Sequence, residues 1–444
     1  MKFSSLNFGG IMHGAERLLW YAFLFFIPFQ ARTVIEQTGG GWRFIEWRSI
    51  SLFGTDILIL GLLVFWFFAS IRHRSGFSWS KSDWFLVGLT LVAGASIPGA
   101  LNEKIGLYSW IKLLEFGLLF LFIRSYALKT FSLRHSLWAF VSGGVLQAVV
   151  GFGQFLRQGD FGLQVFGESV LSQSLKGVAS FYSETGDKII RAYGLTPHPN
   201  VLALILLMSL LALVFLFLTN TKRNVSILSG YSAVGVVLIF GLLSTFSRTT
   251  VALAGLLVLI AGATAFVNSA KQRRSDLVRI VFFVLVVGTC FALIFWPAAK
   301  SRMTISSDED AVVLRGYYNR QALGSGSGWN LTGVGLGNFT EWLIKTHPGE
   351  ETWRYQPVHN IFLLAYSETG ILGSLMFLGF LSAVLVPALL KFLRFPELNT
   401  AIPILAAGCL LFLGLFDHFS WTLQQGRIVW WGVLAAVASR PIIR

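Results

Sequence analysis

Charged residues are scarce in this 444-residue chain and make up only 13% of it, about half the share found in soluble domains. Apolar residues account for 55%. So little charge cannot cover the surfaces of several packed domains, and a soluble globular protein is therefore excluded. Lipid is the expected solvent of the fold.

Cysteine is almost absent, because the chain has only Cys290 and Cys409, and both lie within apolar runs. A disulfide scaffold is therefore excluded, and both residues are expected to be free thiols. The Cys-x-x-Cys, His-Glu-x-x-His, Walker and Gly-x-Ser-x-Gly patterns are also missing, so the chemistry that depends on them is not indicated. No internal repeat of fixed period occurs, which gives transporter-like inverted repeats no support.

Long apolar runs, by contrast, fill most of the chain, and they are long enough to cross a bilayer. The 12 runs centre on residues 18–29, 56–71, 84–100, 107–123, 137–155, 201–218, 227–246, 249–267, 277–296, 361–390, 402–416 and 428–438. The sequence therefore predicts an all-α integral membrane protein, a bundle of about 12 transmembrane helices.

The runs and the longer segments between them divide the chain into five predicted parts. These are transmembrane helices 1–5 (residues 1–155), an outward loop with an amphipathic helix (156–200), transmembrane helices 6–9 (201–296), a large, partly helical outward loop (297–358), and transmembrane helices 10–12 (359–444). Loops as long as these two are usually functional.

The excess positive charge lies at one end of this predicted bundle. With a cytoplasmic N-terminus, the cytoplasmic segments carry 18 Lys and Arg residues against 4 acids, which is the whole net charge of +14. This is the positive-inside bias of membrane proteins, so both termini are predicted to be cytoplasmic and both long loops to face outward. The membrane explains the basic character, and no nucleic-acid partner is indicated.

Each long loop is predicted to contain a helix. In the first loop, four apolar residues recur at helical spacing between polar ones: Leu171, Leu175, Val178 and Tyr182. They predict an amphipathic helix that either lies in the outer headgroup plane or packs on the bundle. In the second loop, Asn338 precedes Glu341 by three residues, a capping-box pattern that predicts a helix from about Phe339 to Thr346.

Three further features are weaker signals. Asp308-Glu309-Asp310 matches a metal-binding pattern of soluble glycosyltransferases, but the loop faces away from cytoplasmic nucleotides, so neither a metal nor another cofactor is predicted. The glycine-rich run 333–337 lacks the βαβ surroundings of a dinucleotide site, so turns and close packing are the better interpretation. Lys112 and Glu115, three residues apart within the fourth span, are expected to form a structural ion pair.

Three arginines on the predicted outward side lie beside span ends. Arg191 precedes the sixth span, Arg248 lies between the seventh and eighth, and Arg315 lies in the large loop. Snorkelling to the interface explains Arg248 alone equally well. Together they indicate a polyanion site, because a guanidinium binds phosphate oxygens through two N–H groups at once. At a membrane interface this favours a lipid phosphate as the ligand.

His359 lies where the large loop enters the tenth span. It is a candidate general base, which would need a pKa near neutrality and a hydroxyl within reach. A lone interfacial histidine is more often structural. His418, beside Asp417, is the competing candidate.

Five short motifs occur in one order along the chain. They are Arg191-Ala-Tyr-Gly-Leu195 followed by Pro199-Asn200, then Phe246-Ser247-Arg248, Arg315, the run 332–339, and Pro357-Val358-His359-Asn360 with Glu368 and Gly370. With this order and a long late loop, the chain resembles bacterial O-antigen ligases, in the superfamily that also contains O-antigen polymerases and protein O-oligosaccharyltransferases. It departs from many relatives at Asn319, where they have tryptophan four residues after the loop arginine.

The resemblance implies a GT-C-like, metal-independent, inverting glycosyltransferase in the bacterial inner membrane, with its active site facing the periplasm. Both long loops would then be periplasmic, and residues 297–358 would form the large catalytic loop. It would transfer O-antigen polysaccharide from undecaprenyl diphosphate to lipid A-core during lipopolysaccharide biosynthesis. Arg191, Arg248 and Arg315 would bind the diphosphate, and His359 would deprotonate the acceptor hydroxyl. The secondary candidates for the site are Asn360, Asn200, Asp417 and His418.

Three alternatives stay open. An O-antigen polymerase would use the same donor with another lipid-linked chain as acceptor, and a protein O-oligosaccharyltransferase would use a pilin-like protein. A transporter or flippase for a polysaccharide-lipid would explain the spans without catalysis. It predicts substrate-binding residues near mid-membrane and paired broken helices, whereas the candidate residues here gather at one face.

Overall fold

The computed structural model describes residues 8–37, 45–73, 78–222, 224–267, 270–303, 310–325 and 331–439, which are mostly helical. In chain order the helices are α1 (Phe8–Phe26), α2 (Gly54–His73), α3 (Lys81–Ala95), α4 (Glu103–Phe122), α5 (Leu128–Thr130), α6 (Leu133–Arg157), α7 (Pro199–Thr219), α8 (Val225–Ser244), α9 (Arg248–Val267), α10 (Lys271–Ile294), α11 (Trp296–Met303), α12 (Asp310–Ser325), α13 (Phe339–Thr346), α14 (Ile361–Arg394), α15 (Leu398–Gly414), α16 (Phe419–Thr422) and α17 (Gln424–Ala438). A π-helical turn, Ile123–Ala127, joins α4 to α5.

Two small antiparallel sheets lie between helices. Strand β1 (Arg32–Gln37) pairs with β2 (Ser49–Phe53), and β3 (Ser180–Tyr182) pairs with β4 (Lys188–Ile190). In the second sheet Phe181 is opposite Ile189. Both sheets are too small to alter the all-helical character of the bundle.

Each of the 12 apolar runs falls on a helix. Among the described residues, 8 helices are long and apolar enough to cross a membrane: α2, α4 with its continuation to Thr130, α6, α7, α8, α9, α10 and α14. The chain is therefore a mostly helical, multi-pass membrane protein, as predicted. The exact count of 12 spans stays a prediction, because α3 and α17 have only 15 residues each.

Helix α7 lies at the centre of the bundle. It is apolar on every side. In its most apolar stretch of 18 residues, 83% of the residues are buried, whereas only 17% are buried in the corresponding stretches of α2, α9 and α10. A helix without a polar face must be enclosed by protein or by lipid. Helices α6, α8, α9 and α15 pack around α7, whereas α2, α9 and α10 turn most of their apolar surface outward, as lipid-facing helices do.

The glycine-rich run packs against a break in α14. Gly370 interrupts that helix with φ 66° and ψ −165°, and the amide of Gly335 donates to the carbonyl oxygen of Glu368 at 3.1 Å. Gly333 has φ +73°, and a Cβ there would clash with the carbonyl carbon of Glu368. These glycines are required by turn conformation and close backbone packing, in agreement with the sequence-based interpretation.

The prediction of an amphipathic helix in the first long loop is wrong. The segment from Leu171 to Tyr182 has no helix and ends in β3. Gly177 has φ +87°, which breaks a right-handed helix, and Ala179 donates its amide to the Tyr193 hydroxyl at 2.6 Å. The recurring apolar residues therefore belong to a non-helical loop, which is held together by the pairing of β3 with β4.

The helix predicted in the second long loop is confirmed, since α13 runs from Phe339 to Thr346. Its predicted capping box does not form. The Asn338 side chain instead accepts a hydrogen bond from the amide of Asn102 at 2.8 Å, and Glu341 pairs with Arg48. Both polar residues therefore tie α13 to the N-terminal part of the bundle.

The two remaining weak signals have different outcomes. Asp308 and Glu309 lie outside the described residues. The expected pair of Lys112 with Glu115 is present, with 3.0 Å between Nζ and Oε2, and Lys112 also contacts Asp56 at 2.5 Å. A buried cation with two carboxylate partners is compensated in charge, which fits a structural role.

Candidate active site

Arg191 is held rigidly between β4 and α7. Its Nε donates to the carbonyl oxygen of Thr245 at 2.6 Å, and its Nη2 donates to Oδ1 of Asn200 at 2.7 Å. The residue is only 9% exposed. Burial, with the neighbouring positive charge of Arg302, lowers the pKa of Arg191 to about 9. The guanidinium is thus oriented by the protein and still cationic at neutral pH.

Asn200, in the first turn of α7, connects Arg191 to a carboxylate. Its Nδ2 donates to Oδ2 of Asp417 at 2.8 Å. Asp417 follows α15, and its Oδ1 accepts the backbone amide of His418 at 2.9 Å. Burial alone would raise the pKa of Asp417, but the imidazole of His359 that faces it outweighs burial and holds that pKa well below its usual range. The carboxylate is therefore ionised at neutral pH.

His359 immediately precedes the N-cap of α14 and faces this carboxylate. Its Nδ1 lies 3.7 Å from Oδ1 of Asp417, and its side chain is 21% exposed. The other ring nitrogen, Nε2, lies 3.3 Å from Oε1 of Gln356. Both ring nitrogens therefore face acceptor oxygens, and the charged one, the carboxylate of Asp417, favours a proton on Nδ1.

Two more histidines surround His359 but differ from it in environment. The ring of His418 lies 4.9 Å from that of His359, and burial lowers the pKa of His418 to about 3. His198 caps α7 by accepting the amide of Asn200 at 3.1 Å, and burial lowers its pKa to about 4. Both are neutral at pH 7, and both are tied to the scaffold by hydrogen bonds.

A second group of cations lies around the turn from α8 to α9. Arg248 is the first residue of α9, and its Nε donates to the carbonyl oxygen of Arg302 at 2.9 Å. Arg302 donates to the carbonyl oxygen of Phe246 at 3.4 Å, and its guanidinium lies 5.4 Å from the Phe181 ring centroid. Arg191 binds the same turn through Thr245. The structure therefore brings Arg191 and Arg248 together and adds Arg302, which the sequence analysis did not single out.

Arg315 lies in α12, on the side of the site where its positive charge contributes to lowering the pKa of His198. Its Nε is buried and has no hydrogen-bond partner among the described residues. The same holds for Oδ1 of Asn319, one turn further along α12. Tyr318, between them in sequence, packs 6.0 Å from the His359 ring. Arg315 is thus near the site, on the side of His198.

Asn360 has a role in the scaffold. Its side-chain oxygen accepts the amides of Phe362 at 2.9 Å and Leu363 at 3.1 Å, which is an N-cap. This cap fixes where α14 begins and so fixes His359 one residue earlier.

One set of side chains at the site has the makeup of a metal site. Ligand atoms of His359, Asp417 and His418 all lie within 4.8 Å of one another. Two imidazoles and a carboxylate suit zinc and similar ions. The cationic Arg191, linked to Asp417 through Asn200, disfavours a further cation at this place, because like charges repel strongly in a buried site.

Comparison with known proteins gives a family for part of the chain. Residues 233–378 match the family described as O-Antigen ligase. The matched segment extends from α8 into α14 and contains Arg248, Arg315 and His359, whereas Arg191 and Asp417 lie outside it. No curated protein matches the chain. Over residues 233–378, therefore, the chain is similar to the O-antigen ligase family, in agreement with the resemblance seen in the sequence.

Proposed function

We propose that the chain is an O-antigen ligase, a metal-independent, inverting glycosyltransferase of the GT-C-like type. It moves O-antigen polysaccharide from undecaprenyl diphosphate to lipid A-core at the periplasmic face of the bacterial inner membrane. The observation that carries the proposal is the chain of contacts from Arg191 through Asn200 and Asp417 to His359. It joins a fixed guanidinium and a candidate base that come from distant parts of the sequence.

The arginines are proposed to stabilise the leaving group. Negative charge develops on the diphosphate as the bond from its oxygen to the anomeric carbon breaks, and preorganised cations lower the energy of that transition state. Arg191 uses two N–H groups on Thr245 and Asn200, which leaves others of its five for phosphate oxygens. Arg248 and Arg315 are proposed to bind the same diphosphate.

His359 is proposed as the general base. Its Nε2 takes the proton from the acceptor sugar hydroxyl as that oxygen attacks the anomeric carbon from the face opposite the diphosphate. Undecaprenyl diphosphate leaves with the electron pair of the broken bond, so the anomeric configuration inverts. The ionised Asp417, 3.7 Å from Nδ1, stabilises the imidazolium that forms and orients the ring.

The test uses the purified full chain with a lipid-linked O-antigen donor and a deep-rough core acceptor, with the products separated by gel. The proposal expects polymer on the core and a loss of at least about 100-fold in rate for His359→Ala, as for removal of a general base. The control is His135→Ala, since His135 is exposed and lies at the start of α6. Normal transfer by His359→Ala would refute the proposed role of His359.

The same assay separates the related activities. Growth of the lipid-linked chain without transfer to core would identify a polymerase, and transfer to a pilin-like protein only would identify a protein O-oligosaccharyltransferase. Movement of the intact lipid-linked donor across a vesicle membrane, without any glycosidic product, would identify a transporter.

A further inference from the structure

A cavity of about 1910 Å³ opens far from the candidate active site. Helix α14 connects the two places, because it starts beside His359 and its residues from Ser382 to Lys391 line the cavity. At about 1.5 Å per residue, this places the cavity roughly 30 to 45 Å along the helix from the site. The C-terminal halves of α2 and α4, the π-helical turn with α5, the start of α3 and the end of α17 also line it, so it lies at the opposite end of the bundle.

Of the residues that the structure describes, four cations and no acid line the cavity: Lys81, Arg124, Lys129 and Lys391. Arg124 is committed in part to Asp83, with 2.7 Å between Nη2 and Oδ2. The three lysines make no ion pair or side-chain hydrogen bond with the part of the chain that the structure describes. The cavity therefore holds uncompensated positive charge at its polar rim.

The remaining wall is apolar or carries hydroxyl groups. Phe67 is 60% exposed and Trp79 is 52% exposed, and both line the cavity together with Val386. Ser80 and Ser125 add hydroxyls near the cations. Exposed aromatic and aliphatic side chains next to lysines and hydroxyls match a ligand with an anionic phosphate and a long apolar part.

We infer that this cavity binds an anionic phospholipid from the membrane leaflet at that end of the bundle. The lysines contact the headgroup phosphate, and the acyl chains lie along the apolar wall. Lysines at helix ends also reach the interface by snorkelling, but here they converge on one concave space with an apolar wall. Basic pockets between transmembrane helices are where anionic headgroups bind. The inference is independent of the proposed transferase activity.

The experiment measures lipid retained by the full chain in native mass spectrometry, after titration with phosphatidylglycerol or phosphatidylcholine in a non-ionic detergent. The wild type is expected to retain phosphatidylglycerol preferentially. The triple variant Lys81→Gln, Lys129→Gln, Lys391→Gln should weaken phosphatidylglycerol binding at least about tenfold, because each removed lysine lowers attraction to anionic lipid. Phosphatidylcholine binding should change little.

Two matched variants separate a built site from general charge. The triple variant Lys271→Gln, Arg273→Gln, Arg274→Gln removes the same charge from the first turn of α10, outside the cavity, and should retain binding. The triple Lys81→Arg, Lys129→Arg, Lys391→Arg should retain it too. Equal losses in both glutamine sets, or no preference for phosphatidylglycerol, would overturn the inference.

A second measurement covers the case in which the glutamine variant does not fold. Ser382→Trp changes no charge and occupies the cavity from an exposed position on α14, so it should reduce phosphatidylglycerol binding by itself. Displacement of the lipid by inorganic phosphate at low concentration would show an ion site rather than a lipid site and would also contradict the inference.

Discussion

Asn200 donates a hydrogen bond from Nδ2 to Oδ2 of Asp417 at 2.8 Å, and the same amide accepts one from Arg191 at 2.7 Å. One neutral side chain thus connects a buried cation to a buried carboxylate. The side-chain amide supplies both the donor and the acceptor that this arrangement needs, without carrying a charge. The position of Asp417 beside His359 therefore depends on a residue that need not touch substrate.

Asn200→Asp is expected to break this connection while keeping the acceptor for Arg191. A second carboxylate would face Oδ2 of Asp417, and like charges at that distance raise the pKa of the pair and push the groups apart. We expect the transfer rate to fall at least about 30-fold and the melting temperature to drop. Steady-state transfer and thermal unfolding in detergent measure the two effects.

The control for this substitution is Asn224→Asp. Asn224 caps α8 by accepting the amide of Ile227 at 2.9 Å, and aspartate serves equally well at an N-cap. This variant should keep its rate and melting temperature. If Asn200→Asp also retained both, the amide would not be important for the site.

Stability is expected to fall as the pH drops from 6.5 towards 4. In the folded state burial lowers the pKa of His418 to about 3 and that of His198 to about 4, whereas an exposed histidine has a pKa of 6.5. The unfolded chain therefore binds more protons in this range, and the stability present above pH 6.5 is lost on acidification. For His418 the loss at pH 5 is about 2 kcal/mol.

Melting temperatures recorded between pH 5 and 7 measure this effect. In His418→Gln the decline should be shallower, because the group that gains a proton on unfolding is gone. His135→Gln is the control, since His135 is exposed and its loss should not change the slope. Parallel profiles for wild type and His418→Gln would contradict the prediction.

The positions of the helices were predictable from the sequence, because an apolar segment in lipid must form its backbone hydrogen bonds internally and therefore folds as a helix. The amphipathic segment after Leu171 was not, because the conformation of Gly177 and the pairing of β3 with β4 override its apolar spacing. The start of α13 was predicted correctly, but the predicted capping box does not form. The Asn338 side chain instead binds Asn102, more than 200 residues away in the sequence. Local patterns thus predicted elements, while long-range contacts decided what the polar residues do.

The candidate site shows the same division. Short motifs identified Arg191, Arg248 and His359, each beside a span end, but their contacts with one another depend on tertiary structure. Arg302 stands in α11, and no motif marks it. Its place beside the α8–α9 turn follows from how α11 folds back over Phe246, which no local pattern in the sequence reports.

Arg302→Gln is expected to lower the transfer rate by at least about tenfold, similar to Arg248→Gln. Its charge adds to the field of Arg191, and its carbonyl oxygen holds Nε of Arg248, so it contributes to the cationic group proposed to bind the diphosphate. Lys300→Gln, two residues earlier, is the control, because Lys300 is exposed and pairs with Glu184 at 2.9 Å. If both Arg302→Gln and Lys300→Gln transferred at the wild-type rate, the charge of Arg302 would not contribute to catalysis, and the residue would have only a packing role.

Gly333→Ala is expected to destabilise the protein by about 3 kcal/mol or more. The residue has φ +73°, where a Cβ is strained, and the new atom would clash with the backbone of Glu368 at the break in α14. Glu368 belongs to α14, the helix that His359 immediately precedes, so the transfer rate should fall as well.

Gly324→Ala is the control. Gly324 lies in α12 with open space around it, so this substitution should be neutral or slightly stabilising, because alanine favours helix. Thermal unfolding of both variants measures the difference, and equal melting temperatures would show that the run 333–337 does not need glycine for close packing.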